Sequence, residues 1–312
     1  MSAREAPLLV ITGPTASGKT ALAVELAQYF GGELIGADSV QVYRGFDIGA
    51  SKPRPGELAG IAHHLLDVRA PDAPLDAADY AALADRAIDD VRARGKLPIV
   101  VGGSGLWLRA LLRGLVVLPK VDPALRAQLD AETEQLGCAA MHARLAEVDP
   151  IAAARLHPHD RVRVVRALEV HAQTGQPLGA LRATHALGAP RHRALRVALE
   201  WPPEQLTARI EERTAAMFAA GLVDEVRALL ERWGTTPRAL AAVGYREVVA
   251  HLIDGVPRAE TEARVARATR IYARRQRTWL RSEPGDRWDA HPAAVRTREG
   301  LTRIAGFLAT RA

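Results

Sequence analysis

The stretch Leu8-Leu-Val-Ile-Thr-Gly-Pro-Thr-Ala-Ser-Gly-Lys-Thr20 decides the fold. Leu8, Leu9, Val10 and Ile11 form a short apolar run, and Leu22, Leu26 and Phe30 then recur at helical spacing, so the segment reads strand, glycine loop, helix. Between the two, Gly13, Pro14, Thr15, Ala16, Ser17, Gly18, Lys19 and Thr20 make a G-x-x-x-x-G-K-[ST] loop, the pattern of a diphosphate or triphosphate cradle. Its glycines admit backbone angles that let successive amides wrap an anion at a helix N-terminus, where the dipole favours negative charge. Lys19 adds a cation, and the Thr20 hydroxyl is the candidate ligand for Mg2+. The loop leaves the reaction open, because kinases, NTPases and other diphosphate-handling transferases share it.

Outward from the loop, Leu34 and Ile35 predict a second strand after the Gly31-Gly32 helix stop, and Leu65 and Leu66 a third. A helix is expected from Ala77 to Ala93, closed by Gly95, followed by a buried strand from Pro98 to Val101 that ends at Gly102 and Gly103. Strands alternating with helices build an α/β, P-loop NTPase-like core around a doubly wound parallel sheet, with ligands at the carboxyl ends of the strands. From Asp122 to about Thr184 the pattern is helical only. Asp122-Pro123 and Asp149-Pro150 read as N-caps followed by first-turn prolines, and Gly137 and Gly175 as stops. Leu195 to Leu199 then supplies another strand. The expected organisation is therefore a first core segment over 1–118, a small inserted all-helical domain over 119–190, and a core continuation with C-terminal helices over 191–312. Gly221, Gly234 and Gly255 punctuate that last region.

A chain of 312 residues with 48% hydrophobic content buries a sizeable core and suggests two structural units. No apolar run approaches membrane-spanning length, and the segment before Pro7 carries Arg4 and Glu5 without a secretory apolar stretch, so no membrane partner and a cytoplasmic location are expected. Cys138 is the only cysteine, which excludes an internal disulfide framework and a multi-cysteine zinc module. The net charge of +6 favours a polyanionic partner. Arg264, Arg267, Arg270, Arg274, Arg277 and Arg281 recur every three or four residues, Arg275 thickens the cluster, and no acid lies between Glu262 and Glu283. Such a helix face suits a phosphate backbone. Arg161-Val-Arg-Val-Val-Arg166 in the helical domain reads as a second basic patch, and the two together suggest a cleft for folded nucleic acid.

Asp38 ends the second strand and so falls near the phosphate loop. It could be a general base, a second-shell magnesium partner or a helix N-cap. Where an NTPase commonly carries a Walker-B acid, the fourth strand runs into Gly102-Gly103-Ser104-Gly105. Amides and a hydroxyl are expected to face the ligand there, and water activation is poorly provided. His63-His64 and His157-Pro-His159 lack metal-ligand spacing and read as structural. Trp201, Trp233 and Trp279 read as core, whereas Tyr245, after Val243-Gly244, is a candidate to touch a base.

Together these segments resemble one family, the bacterial tRNA dimethylallyltransferases, also called tRNA isopentenyltransferases or IPP transferases. The resemblance covers nearly the whole chain. It is carried by GPTASGKT at Gly13 to Thr20, ADSVQVYRGFDIGASKP at Ala37 to Pro53, HHLLDV at His63 to Val68 and VGGSGLWLRALLRGL at Val101 to Leu115. HPHDRVRVVRALEV at His157 to Val170, VGYRE at Val243 to Glu247 and RRQRTWLR at Arg274 to Arg281 complete it.

The resemblance implies transfer of a dimethylallyl group from dimethylallyl diphosphate to the exocyclic N6 amine of the adenosine 3′ to the anticodon, with Mg2+ as cofactor. Partners are then the tRNA anticodon stem-loop and the prenyl donor, and the protein a cytoplasmic monomer. Asp38 would take the amine proton and Ser104 would touch the same nucleotide; Arg213 would clamp the diphosphate beside the loop. tRNA contact is implied for Asp38, Ser39, Val40, Gln41, Ser104 and Arg126. It is implied also for Val162, Arg163, Val164, Val165 and Arg166, and for Ala241, Ala242, Val243, Gly244, Tyr245 and Arg246. Arg274, Arg275, Gln276, Arg277, Thr278, Trp279, Leu280 and Arg281 complete the set. The target base would leave its stack to reach the site.

Ser104 stands where many members have Thr, and Gly36 and Gln41 where members vary. The single cysteine agrees with the absence of the zinc finger of eukaryotic relatives and with a bacterial origin. Two rival readings are a P-loop small-molecule kinase, which leaves the arginine face unexplained, and an isopentenyltransferase acting on free adenine nucleotide, which has little use for basic patches. A nucleotide-switched RNA-binding protein would leave Asp38 unexplained.

Overall fold

The computed structural model describes residues 6–116, 118–184 and 190–310. Its strands are β1 (Leu8–Thr12), β2 (Gly32–Ala37), β3 (His63–His64), β4 (Leu97–Gly102), β5 (Ala194–Leu199) and β6 (Arg287–Ala290). The first helices are α1 (Lys19–Phe30), α2 (Ala77–Ala93) and α3 (Gly105–Arg113). Then come α4 (Pro123–Leu136), α5 (Cys138–Val148), α6 (Pro150–Ala153), α7 (Arg161–Thr174) and α8 (Leu178–Thr184). The remainder are α9 (Pro203–Ala219), α10 (Leu222–Trp233), α11 (Tyr245–Asp254), α12 (Arg258–Ser282), α13 (Pro292–Arg296) and α14 (Arg298–Ala309). No helix among the described residues is long and apolar enough to cross a membrane.

The chain divides into two compact units, residues 1–113 with 190–312, and residues 114–189. In the larger unit all six strands are parallel, in the order β3-β2-β4-β1-β5-β6. Helices cover the sheet, so β1 reads as an unbroken apolar run that is buried throughout. Leu9, Ile11, Leu22, Leu26, Leu34, Ile99 and Val197 meet in its core. Because β1 lies between β4 and β5, and β4 beside β2, the phosphate loop, Asp38 and Gly102-Gly103 all emerge at one rim.

The third strand differs from the expectation at Leu65-Leu66. It is His63–His64 that pairs, in the register Leu34↔His63 and Ile35↔His64. Leu65 lies at φ +65°, a left-handed angle that ends the strand before the apolar pair.

The smaller unit packs α4 to α8 around Leu129, Met141, Leu145, Val164, Val165 and Leu168. Asp122 and Asp149 cap their helices ahead of first-turn prolines, as the sequence predicts. Asp149 and Glu169 are both fully removed from solvent, and Glu169 is the one that arginines surround. Arg126 donates to it, and Arg166 approaches at 3.0 Å. Arg161 pairs with Asp130 and Glu134, and Arg163 with Asp160. The stretch 161–166 is therefore not the free basic patch expected, because each of its arginines already faces a carboxylate of this unit. Val164 and Val165 point into the core, while Val162 and Arg163 are exposed.

Candidate active site

The phosphate loop is shaped by three positive φ angles, at Gly13 (+148°), Ala16 (+61°) and Gly18 (+81°). Gly13 has a second reason to lack a side chain, since a Cβ there would come within 2.9 Å of the Leu199 carbonyl oxygen. Gly18 is the N-cap of α1 and offers no side-chain bond, which leaves the first-turn amides open to an anion.

Residues from much later in the chain brace the loop. Gln276 on α12 accepts from the Thr15 amide at 2.8 Å and donates to the Gly103 carbonyl at 3.0 Å. Arg213 on α9 donates to Thr15 Oγ1 at 2.8 Å, Arg209 to the Ala16 carbonyl at 2.8 Å, and the Trp201 indole to the Ser17 carbonyl at 3.0 Å. Gln276, assigned to tRNA contact from the sequence, thus serves the loop. Trp201, read from the sequence as core, and Arg209, not singled out there, both brace the loop, and no local signal could have joined them to Gly13–Thr20.

The loop opens into a cavity of about 490 Å³ that Lys19, Thr20, Asp38, Arg209, Arg213 and Tyr272 help to line. Lys19 donates to the Pro14 carbonyl at 2.7 Å. Burial, aided by the Arg213 charge and opposed by Asp38, lowers its pKa to about 8. Burial lowers Arg213 also, again opposed by Asp38. Two cations in a desolvated site exceed the one carboxylate beside them and form a receptor for a multiply charged anion.

Asp38 ends β2 with Oδ1 fixed by the amides of Val40 and Gln41, at 2.9 and 3.2 Å. Those residues form a turn and no helix, so the bonds hold the carboxylate in place and the helix N-cap reading falls. Ser104 supports the same turn from below. Its Oγ accepts from the Ser39 amide at 2.9 Å, and the residue is buried and lines neither cavity around Asp38. The hydroxyl expected to face the ligand instead positions the loop that carries Asp38. Gly102 belongs to packing too, for a Cβ there would fall 2.1 Å from the Ala37 carbonyl oxygen. Gln41 donates to the carbonyls of Ala50 and Ser51.

His63, read as structural, reaches the cavity as well. Both ring nitrogens are shielded without a hydrogen-bond partner, and burial, with His64 adding to it, lowers its pKa to about 4. It is neutral at physiological pH.

A second, more apolar cavity of about 280 Å³ adjoins the first. The two share Thr15, Asp38, Ala50, Arg213 and Tyr272. Ser39, Val40, Ala241, Ala242, Val243 and Gly244 line it, together with Ile210, Met217 and Val265. Tyr245 closes one side, but its ring is fully buried against Phe46. Its hydroxyl donates to Glu225 at 2.8 Å and accepts from the Ala50 amide at 3.0 Å. Glu225 in turn accepts from the Asp47, Ile48 and Gly49 amides. Tyr245 is therefore a core anchor of the 47–50 loop, with no ring face free to stack on a base.

Beyond Val243 an open groove runs between α11 and α12, lined by Arg246, Arg264, Arg267, Ile271, Tyr272 and Arg275. On α12 the predicted stripe divides. Arg264 pairs with Glu260 one turn back on the same helix, Arg270 with Glu211, and Arg281 lies 3.7 Å from Glu200, so three of the seven face an acid, two of them on other elements. Arg267, Arg274 and Arg275 are exposed. Thr278 is exposed and Arg277 half-buried, while Trp279 packs on Gly105 and Leu280 is buried.

Thr20 lines the first cavity, and the described residues hold no group of three or more His, Cys, Asp or Glu that could bind a metal. A magnesium ion would accordingly take one protein hydroxyl and fill its shell with diphosphate oxygens and water, a donor set that suits it.

A family model, IPPT (IPP transferase), matches residues 41–283. The chain is 53% identical over 285 residues to the tRNA dimethylallyltransferase of Anaeromyxobacter sp. (strain Fw109-5), covering 91% of this chain and 95% of that protein. It is 47% identical over 288 residues to the tRNA dimethylallyltransferase of Geobacter sulfurreducens, with 92% of each chain covered. Among solved structures, the full-length tRNA isopentenylpyrophosphate transferase of Bacillus halodurans superposes with TM-score 0.70 at 34% identity over 97% of both chains. A eukaryotic dimethylallyltransferase acting on tRNA superposes with TM-score 0.77 at 26% identity, over 96% of this chain and 77% of that one.

Proposed function

The chain belongs to the IPP transferase family, and from that premise we propose that it moves a dimethylallyl group from dimethylallyl diphosphate to N6 of the adenosine 3′ to the anticodon. It is a tRNA prenyltransferase. The observation that carries the finer reading is a single cavity lined by two cations, Lys19 and Arg213, and by the fixed carboxylate of Asp38.

The chemistry follows from that placement. The loop amides, Lys19 and Arg213 hold the diphosphate and spread its charge as the allylic C1–O bond breaks, so the leaving group departs with the electron pair. Mg2+ held by Thr20 would supply further neutralisation of that charge. An adenine amine is a weak nucleophile because its lone pair is delocalised into the ring. Asp38 accepts a hydrogen bond from N6 and takes its proton as the N6–C1 bond forms. The fixed Oδ1 presets that geometry.

We assign RNA contact to the outer cavity and groove. Ser39, Val40 and the 241–244 backbone line the path to Asp38, while Arg246, Arg267, Arg274 and Arg275 provide phosphate partners. The exposed Val162 and Arg163 are the points at which unit 114–189 would contribute. Free adenine nucleotide has no use for the groove, and a kinase reading is disfavoured by the relatives' names.

The test is incubation of the protein with Mg2+, radiolabelled dimethylallyl diphosphate and unmodified tRNA, without ATP. The expected product is RNA that yields N6-dimethylallyladenosine on digestion. Label on AMP with none on tRNA would select the free-nucleotide transferase, and transfer of phosphate from ATP the kinase.

A further inference from the structure

Tyr272 lies on α12, off the arginine stripe that the sequence brings forward. Among the described residues it alone lines all three spaces: the diphosphate cavity, the apolar cavity beside Asp38, and the arginine groove. It is half-buried, and Gln276, the residue that joins the phosphate loop to Gly103, lies near its hydroxyl. Burial raises its pKa, and the nearby Asp38 carboxylate adds to the rise, so the phenol stays protonated. The apolar cavity, about 280 Å³, lies just below the roughly 300–1,000 Å³ range of drug-sized ligand sites. That size suits one unstacked base.

We propose that Tyr272 is a positioning residue: the wall on which the acceptor adenine is seated as it enters from the groove, holding N6 in line between Asp38 and the prenyl carbon. The proposal rests on the prenyl-transfer reading above. An aromatic ring suits the task because stacking holds a flipped base without competing for its edge. Gln276, near the hydroxyl and bonded to Thr15 and Gly103, links the seat to the loop that holds the donor.

Seating also excludes water. In productive turnover C1–O breaks, N6–C1 forms and the N6 proton passes to Asp38. If the adenine is loosely held, a water oxygen takes the place of N6 at C1, the diphosphate leaves unchanged, and the products are dimethylallyl alcohol and a released proton. The ratio of alcohol to prenylated RNA therefore reports the seat.

The test measures both products from radiolabelled dimethylallyl diphosphate with saturating tRNA, for the wild type and for Tyr272→Phe, Tyr272→Leu and Tyr272→Ala, with thermal unfolding as the folding control. Tyr272→Phe keeps the ring and is expected to retain an alcohol fraction near that of the wild type, with kcat lower by severalfold. Tyr272→Leu and Tyr272→Ala are expected to lower kcat for RNA about tenfold or more while the KM for the donor changes less than about twofold, and to raise the alcohol fraction. If Ala transfers as efficiently as the wild type, or if every variant including Phe raises the donor KM with the alcohol fraction unchanged, the seat is refuted. A wild type that labels no RNA would instead overturn the functional reading.

Discussion

At the scale of single residues, the site is governed by where charge is fixed. Lys19, at a pKa of about 8, carries its charge below that value and loses it above. The donor diphosphate is fully ionised by neutral pH, so kcat/KM for dimethylallyl diphosphate is expected to fall as pH rises through about 8. Lys19→Arg keeps its cation, and its profile should stay flat to at least pH 10; steady-state rates across pH 6 to 10 check this. Asp38→Asn preserves the acceptor oxygen that the Val40 and Gln41 amides use, so the turn should survive while the proton acceptor is lost. Turnover is expected to drop by about 10²–10⁴-fold, with tRNA affinity by filter binding within about twofold of the wild type. Lys19 was legible from the loop motif and Asp38 from its place at the end of the second strand, whereas Arg213 came only through the family resemblance. Tyr245 and Ser104 were not. Their residue types suited a ligand contact, and only burial reveals that one anchors a loop and the other props a turn.

At the scale of elements, α12 combines two jobs on different faces. Gln276, Ala273 and Leu280 turn inward, and the arginines outward. Spacing alone brought all the arginines onto one broad face, but it could not reveal Glu211 and Glu200, which arrive from other elements. Neutralising Arg267 and Arg275, which have no ion pair among the described residues, to Ala should lower the slope of log K against log salt for tRNA by about one unit each. Arg264→Ala and Arg270→Ala should change it less, because Glu260 and Glu211 already neutralise those charges. Titrations from low to moderate salt distinguish the two pairs. The strands show the same division. β1, β2, β4 and β5 are apolar runs and were readable as such, whereas β3 is a histidine pair whose strand character comes from pairing with β2. Leu65 and Leu66 misled because hydrophobicity marks burial and not extension. β6, with Arg287, Trp288 and Asp289, offered no apolar run at all.

At the scale of the whole molecule, each unit has its own core and its own polar centre. In unit 114–189 that centre is Glu169, whose bonds from Arg126 and Arg166 outweigh burial and hold its pKa below the ordinary value near 4.5. A carboxylate lowered in this way contributes stability above that value and loses it progressively as the pH falls. Glu169→Gln leaves two guanidinium groups without their counter-charge and is expected to cost about 3–5 kcal/mol. Calorimetry of the full chain at pH 7 should show this as a lowered transition, and the deficit should shrink toward acid pH. The phosphate loop has the opposite dependence on distant sequence. The motif is complete by Thr20, yet its braces are Trp201, Arg209, Arg213 and Gln276, the last 261 positions beyond Thr15. A ribosome therefore delivers the motif long before the side chains that shape it. A nascent chain stalled ahead of Trp201 carries every letter of the signature but none of these braces, so the loop takes its finished shape only when synthesis is almost done.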